Sequence, residues 1–415
     1  MSTRMIVGTV FEALATLPDR SVDLVASSPP FLAVRSYLPA DHPTKAKEIG
    51  SEATPAHFLD ALLDVAEACD RVLAPHGSLC FELGTTFAGS GGAGGDYGVG
   101  GLREGQSKFA GSALKDRKNK VLRPDGNRLQ QGPGWPQDKS MAMVATLFPA
   151  CLAYGRNLLR PERQTPPWRI RNVISWTRPN PAVGALGDKC RPATSWITVA
   201  TKSRARYWDM DAVRVPLAKP NARNSRRLEQ HPETSRRGTL GAYDASASPG
   251  APLLDWWAVP TQPSKLAHFA MWPEEIARRL ILLMCPERVC TTCGESSRRI
   301  TATEQVPTRR TNGRKHYAAG TLTKHFDKRT EASVSTLSWT TCGHDTWRRG
   351  VVLDPFGGSG TTGAVASQLG RDAVLIDLNE ANVDLARKRV QGHGLLEVVE
   401  RDGAVREAQG QGVLA

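Results

Sequence analysis

The segment Val351-Val352-Leu353-Asp354 is an apolar run ending in an acid, and Pro355-Phe356-Gly357-Gly358-Ser359-Gly360 carries it into a helical pattern that starts at Thr361-Thr362. Three glycines in such a turn let the backbone bend sharply and let a ligand approach it closely. The turn lacks a Gly-Lys-Ser/Thr ending, which argues against a triphosphate cradle. Asp377 ends the next apolar run, where a carboxylate can accept both hydroxyls of a ribose. Strand, loop, helix and second acid together fit a nucleoside cofactor that has no pyrophosphate.

Ser28-Pro29-Pro30-Phe31 directly follows the apolar run Val22-Asp23-Leu24-Val25-Ala26, at the carboxyl edge where open α/β sheets bind ligands. The two prolines fix the backbone and remove two N–H donors, which leaves carbonyls free to accept. The Ser28 hydroxyl and the Pro29 carbonyl can accept from an exocyclic amine while Phe31 stacks on a planar ring. A Pro-Pro pair alone is more often a rigid loop without chemistry, so the weight lies on the two loops together.

Together they resemble the beta class of DNA amino-methyltransferases. The glycine loop of that family, DPFxGSGTT, is matched by Asp354, Pro355, Phe356, Gly358, Ser359, Gly360, Thr361 and Thr362, with Gly357 at the variable position. Its catalytic loop, Ser/Asp/Asn-Pro-Pro-Tyr/Phe/Trp, is matched by Ser28, Pro29, Pro30 and Phe31. The order, catalytic loop first and cofactor loop last, is that of the permuted beta class. The stretch from Pro260 through Thr261, His268 and Phe269 to Glu275 resembles the segment that completes the methionine pocket, and residues 176–181 and 201–209 are similar to segments of bacterial and phage members. The Gly-Asp pair that often follows the first strand of the family is Gly8-Thr9 in this chain.

The resemblance implies a Rossmann-like, circularly permuted methyltransferase fold with a mostly parallel seven-stranded sheet and helices on both faces. It implies S-adenosyl-L-methionine as cofactor, held by residues 354–362, Asp377, Thr261, His268 and Phe269. Double-stranded DNA is the implied substrate, with a homodimer and a cognate restriction nuclease as candidate partners. Serine at the head of the catalytic loop points to N4 of cytosine. N6 of adenine is the alternative, and a catalytically silent DNA-binding protein a more distant one. The reaction needs no covalent nucleophile, so none of the eight cysteines has to be catalytic, and the base must leave the duplex to be reached.

Cys290-x2-Cys293 and Cys342-x-His344 bracket a basic stretch and have the look of two zinc knuckles, each with a glycine beside a cysteine. A structural zinc is the expectation, since a disulfide is disfavoured in a cytosolic chain and four protein ligands leave no open position for catalysis. Cys285 is a substitute ligand.

These loops need a scaffold, and the pattern around them is α/β alternation. The sequence predicts strands at 4–7, 22–26 and 78–83 and helices at 10–17 and 55–73, with a turn at Pro75-His76-Gly77 before the third strand. A helix at 141–159 and strands at 168–177 and 195–201 follow, and a helix at 273–284 precedes the closing β-α-β-α run from Val351 to Val390. The expected organisation is a catalytic half (1–83), a Gly-rich basic insert (84–138), core (139–218) and a target-recognition region (219–254). A cofactor-pocket segment (255–284), a zinc-binding basic insert (285–349), the cofactor half (350–395) and a tail (396–415) complete it.

The 54 Lys+Arg against 41 Asp+Glu give a net charge of +13. Residues 101–128, 202–237 and 288–349 hold +5, +6 and +7, so the remainder is slightly acidic. Such runs suit nucleic-acid contact, because neutralised phosphates release counterions. No apolar run approaches the roughly 18 residues of a membrane span. The sequence reads as cytoplasmic and nucleoid-associated, with no membrane partner.

Overall fold

The computed structural model describes residues 1–34, 37–38, 41–88, 132–181, 190–215, 251–262, 272–309, 317–318, 321–322, 328–399 and 405–407. Most of the Gly-rich insert and of the target-recognition region lies outside the described residues. The chain divides into a larger unit (Met1–Trp208, Asp255–Ser296, His344–Ala415) and a smaller one (Asp209–Leu254, Ser297–Gly343).

In the larger unit, β1 (Ser2–Val7) leads into α1 (Val10–Thr16). The Thr9 hydroxyl accepts from the Glu12 amide and the Glu12 carboxylate from the Thr9 amide, a capping box that fixes where α1 begins. β2 (Val22–Ser27) is buried at every position, as a continuous apolar run in a parallel sheet should be. α2 (Pro55–Val72) starts on Thr54 and buries the stripe Phe58, Leu59, Leu62, Leu63, Ala66 and Cys69.

β3 (Leu73–Leu83), α3 (Val144–Tyr154), β4 (Arg156–Asn157), β5 (Arg160–Gln164), β6 (Arg169–Thr177), β7 (Thr194–Thr201) and β8 (Trp256–Ala258) follow. After them come α4 (Glu274–Met284) and β9 (Arg288–Cys290). The smaller unit contains β10 (Arg299–Arg309), β11 (Tyr317–Ala318), β12 (Thr321–Leu322) and β13 (Lys328–Trp339), with β10 and β13 paired antiparallel over their length. The larger unit resumes with β14 (Trp347–Arg349), β15 (Val351–Asp354), α5 (Thr361–Gln368), β16 (Asp372–Asp377), α6 (Asn382–Val390), β17 (Leu395–Val399) and β18 (Val405–Glu407).

One sheet organises the larger unit, in the order β18-β17-β1-β16-β15-β2-β3-β7-β6-β8. Neighbours from β17 to β3 are parallel, while β7 runs antiparallel to both β3 and β6. The sheet is therefore mixed and mostly parallel, wider than the expected seven strands because β8, β17 and β18 extend its edges. Helices cover both faces, and β1 shows the division. Ile6 packs with the cluster that contains α1, α2 and α3, whereas Met5 and Val7 pack with Ala364 of α5 and Val383, Ala386 and Val390 of α6.

Two elements differ from the sequence expectation. β3 starts at Leu73 and absorbs the predicted turn: Val22 pairs with Leu73 and Leu24 with Ser78, so Pro75-His76-Gly77 forms an irregularity within the strand. α3 stops at Tyr154 and not at Leu159, because Gly155 takes a left-handed conformation and turns the chain into β4.

Asp23 in β2 is fully buried. It accepts from both terminal nitrogens of Arg348 (2.6 and 2.9 Å), from the Val351 amide (2.8 Å) and, at 2.9 Å, pairs with His76 Nε2. Burial works against the charged carboxylate, but the hydrogen bonds from His76 and Arg348 outweigh it and hold the carboxyl below its ordinary range. Asp23→Asn should lower the unfolding free energy by about 3 kcal/mol, since Arg348 would keep its charge without a counterion. A depressed folded pKa makes this contribution present above the unfolded value of about 3.9 and lost as pH falls through the folded one. Denaturant titrations at stepped pH should show the difference between wild type and variant closing only below about pH 4; a difference unchanged on acidification would refute the assignment.

Candidate active site

β2 and β15 are parallel neighbours, with Leu24 opposite Val352 and Val25 opposite Leu353, so the loops that follow them leave the same edge of the sheet. β16 flanks β15 on the other side and ends on Asp377. Three loops distant in sequence thus open onto one place.

Asp354 closes β15 and is 3% exposed. Its Oδ1 accepts from the Ser27 hydroxyl and from the Phe356 amide (3.1 Å), and its Oδ2 from the Thr362 hydroxyl (2.5 Å). Burial pushes this carboxyl up to about 6, against the pull of those hydrogen bonds. The carboxylate therefore braces the glycine loop from beneath. Gly360, with φ of +80°, begins α5 where a Cβ would come within 2.9 Å of Ala386, so only glycine allows α5 and α6 this approach.

Asp377 is held by three donors: the Gly358 amide on Oδ2 (2.8 Å), and the Asn379 amide (2.8 Å) and Asn382 Nδ2 (3.0 Å) on Oδ1. Burial raises its pKa while these donors lower it. A carboxylate has about four lone-pair directions, so one on Oδ2 remains for a ligand hydroxyl. The expected acceptance of two hydroxyls requires one of the present donors to yield.

The Ser28 hydroxyl donates to Glu82 Oε2 at 2.6 Å. Glu82 lies on β3 and is 2% exposed. Burial raises its pKa, opposed by hydrogen bonding from Ser195 and Ser28 and by the nearby charge of Arg178. Because its hydrogen is committed to Glu82, Ser28 presents lone pairs elsewhere. Phe31 is half-buried, with its ring edge where a Cβ on Gly84 would lie.

Ser28, Pro30, Asp354, Pro355, Phe356, Gly357, Gly358, Ser359, Thr361 and Asp377 line a single cleft. Pro29, Phe31, Gly360 and Thr362 are not part of its lining. Thr261 is exposed and bonds through its backbone to Asn180, while His268 and Phe269 lie outside the described residues. The cleft also takes Tyr37, Leu38, Lys47, Glu48, Ile49, Trp272, Asn379 and Asn382, which the sequence reading missed. Irregular loops supply several of these and carry no periodic signal. Glu82 was legible in principle, as one acid between Phe81 and Leu83 in an apolar strand. The four candidate metal ligands, Cys290, Cys293, Cys342 and His344, have their ligating atoms within 4.8 Å of one another. Cys285 is buried and stands outside that group. Among the described residues no helix is long and apolar enough to cross a membrane.

A family model described as DNA methylase, N6_N4_Mtase, matches residues 22–290 and 337–388. The type II methyltransferase M.SmaI of Serratia marcescens is 23% identical over 390 residues, 94% of this chain and 91% of that protein. M.Cfr9I of Citrobacter freundii is 24% identical over 385 residues, 93% of this chain and 86% of its own. Among solved structures, PvuII DNA methyltransferase, described as cytosine-N4-specific, aligns over 95% of each chain at 11% identity and a TM-score of 0.42. A putative DNA modification methylase of Thermus thermophilus, solved with S-adenosyl-L-methionine, covers 96% of this chain and 98% of its own at 18% identity and a TM-score of 0.43. The family match spans both loops and the strands that place them in one cleft: this chain belongs to the N6/N4 DNA methylase family.

Proposed function

We propose that the chain moves a methyl group from S-adenosyl-L-methionine to N4 of a cytosine flipped out of double-stranded DNA, on a circularly permuted methyltransferase core. The observation that carries this reading is the Ser28–Glu82 hydrogen bond at the cleft that the glycine loop also lines. Serine in place of a carboxylate at the head of the Pro-Pro-Phe loop is, by resemblance, the cytosine-type residue.

The cleft suits the cofactor chemically. Glu48, Asp354 and Asp377 line it, and their carboxylates favour a ligand that carries sulfonium and ammonium charges. Asp377 Oδ2 would accept a ribose hydroxyl, and residues 355–359 would lie along the cofactor. When bound there, S-adenosyl-L-methionine supplies the electrophilic methyl group.

The amine of cytosine is a poor nucleophile because its lone pair is delocalised into the ring. Ser28 Oγ and the Pro29 carbonyl, both acceptors, would hold the amine hydrogens and turn the nitrogen lone pair toward the methyl carbon. The gain is one of positioning and charge stabilisation. As the N4–CH3 bond forms and the S–CH3 bond breaks, N4 must lose a proton. Ser28 Oγ can accept it while passing its own hydrogen to Glu82 Oε2, whose raised pKa makes it a receptive partner. Glu82 acts through Ser28 and is a positioning residue that also receives the proton.

Type II relatives suggest a cytoplasmic modification enzyme with a cognate restriction nuclease, and a homodimer is the expected assembly. The basic segments would grip the duplex, with 219–254 reading the target and 84–138 contributing to the clamp.

Ser28→Ala should abolish transfer of labelled methyl groups with cofactor affinity unchanged by calorimetry; substantial remaining activity would overturn the role of Ser28. Glu82→Gln should lower kcat by about 10²-fold or more and remove the acid limb of the pH–rate profile, since only the carboxylate can take the proton and its raised pKa places that limb above the ordinary carboxylate range. A parallel fall with the acid limb intact would make Glu82 merely structural. Single-molecule sequencing of DNA from expressing cells should find N4-methylcytosine in a fixed context. N6-methyladenine would transfer the reaction to adenine, and unmethylated DNA beside intact binding would indicate a silent DNA-binding protein. Duplex affinity should fall steeply on a log–log plot against salt while cofactor affinity barely moves; equal sensitivity of the two would contradict the division of labour between basic segments and cleft.

A further inference from the structure

We infer that Cys290, Cys293, Cys342 and His344 bind one structural zinc ion that fastens the two chain ends of the basic β10–β13 pair. Three sulfurs and one imidazole nitrogen lie within 4.8 Å of one another. In a tetrahedral site with Zn–S bonds of about 2.3 Å, ligand atoms stand roughly 3.8 Å apart, so the group needs only a small contraction. No disulfide joins these cysteines.

The backbone around the sulfurs is already shaped for a metal. Cys293 and Cys342 are each followed by a glycine in the left-handed region, Gly294 at φ +74° and Gly343 at φ +83°. In the first turn the Gly294 amide donates to the Cys290 carbonyl (3.0 Å) and the Cys293 amide points at Cys290 Sγ (3.5 Å). An amide aimed at sulfur orients it within the turn. β9 and β14 hold the two turns side by side through Cys290 opposite Trp347, and the Thr291 amide donates to the Thr346 carbonyl at 3.0 Å.

Packing does not account for the convergence. Cys290 is buried, but Cys293 and His344 are exposed and Cys342 is half-buried, unlike the buried thiols Cys69, Cys80, Cys151 and Cys285. A function for the metal follows from what the ligands bracket. Residues 294–341 hold nine Lys and Arg against four Asp and Glu. β10 and β13 form a two-stranded sheet on their own, and near its base Ile300 and Leu337 are exposed. An isolated two-stranded sheet is marginal in water. A metal bound by residues on either side of it in the chain would close the loop and limit fraying. Three thiolates and an imidazole select zinc, and four protein ligands leave no coordination position for substrate.

The test uses the full-length protein, zinc itself and cobalt as a spectroscopic substitute, none of which depends on methyl transfer. Protein purified without chelator should retain about one equivalent of zinc per chain through gel filtration. Cobalt exchanged into it should show thiolate charge transfer and the d–d bands of a tetrahedral site. Cys293→Ser and Cys342→Ser should each lose those bands, while Cys190→Ser, at an exposed cysteine outside the group, should keep them. Far-UV circular dichroism on each variant reports that the main sheet still folds. If a serine variant does not fold, His344→Cys, which preserves four ligands, replaces it and should retain cobalt with a shifted, all-thiolate spectrum. Zinc below about half an equivalent together with absent cobalt bands, or bands that survive Cys342→Ser, would overturn the proposal.

Discussion

The hydrogen bond from Ser27 to Asp354 joins residues 327 positions apart and ties the carboxyl ends of two adjacent parallel strands. At the opposite end of the same strands Asp23 of β2 takes the Val351 amide that begins β15, together with the Arg348 guanidinium. β2 and β15 are thus clasped at both ends by buried carboxylates, each satisfied by several donors, and such networks favour one register over its neighbours because a slipped strand would leave them unpaired. The Ser-Pro-Pro-Phe loop leaves one strand and the glycine loop the other. Their separation is therefore a property of the sheet and not of the loops.

Within that frame the two acids of the cofactor half are engaged before any ligand arrives. Asp354 spends its oxygens on Ser27, Phe356 and Thr362, and Asp377 on Gly358, Asn379 and Asn382. A loop shaped by its own hydrogen bonds loses little freedom when a ligand binds, which is the usual advantage of preorganisation. Ser28 follows the same principle from the other side of the cleft, since the buried acid beneath it sets the direction of its hydroxyl.

Much of this was legible in residues 22–31 and 351–377, where buried parallel strands write continuous apolar runs and the chemistry sits directly after them. Elements away from such runs were harder to read. Pro75-His76-Gly77 has the composition of a turn, yet it stays within β3 because strand pairing resumes on both sides of it. Trp256-Trp257-Ala258 is too short to announce a strand, but pairs with Ser175, Trp176 and Thr177 at the sheet edge. Lys47 reaches the cleft from a single 3₁₀ turn and Glu48 and Trp272 from irregular segments, where neither a period of two nor one of 3.6 marks them. Glu82 is the instructive case: a lone acid in a buried strand is costly, and its hydrogen bond to Ser28 offsets only part of the burial.

The position of β1 has a consequence for the order of events during synthesis. Both of its neighbours, β16 and β17, come from residues 372–399. At a translation rate of roughly 5–20 residues per second, β1 leaves the ribosome on the order of 20 to 80 seconds before either partner. Through that interval β1 lacks both of its sheet neighbours, while β2, β3, β7, β6 and β8 can already pair in order and β2 keeps an open edge. The N-terminal part of the sheet thus exists for most of its synthesis as an open-edged fragment, a state exposed to aggregation and to chaperones. A chain that stops before β16 would have Ser28 but not Asp377, so the cleft is completed only with the last part of the fold.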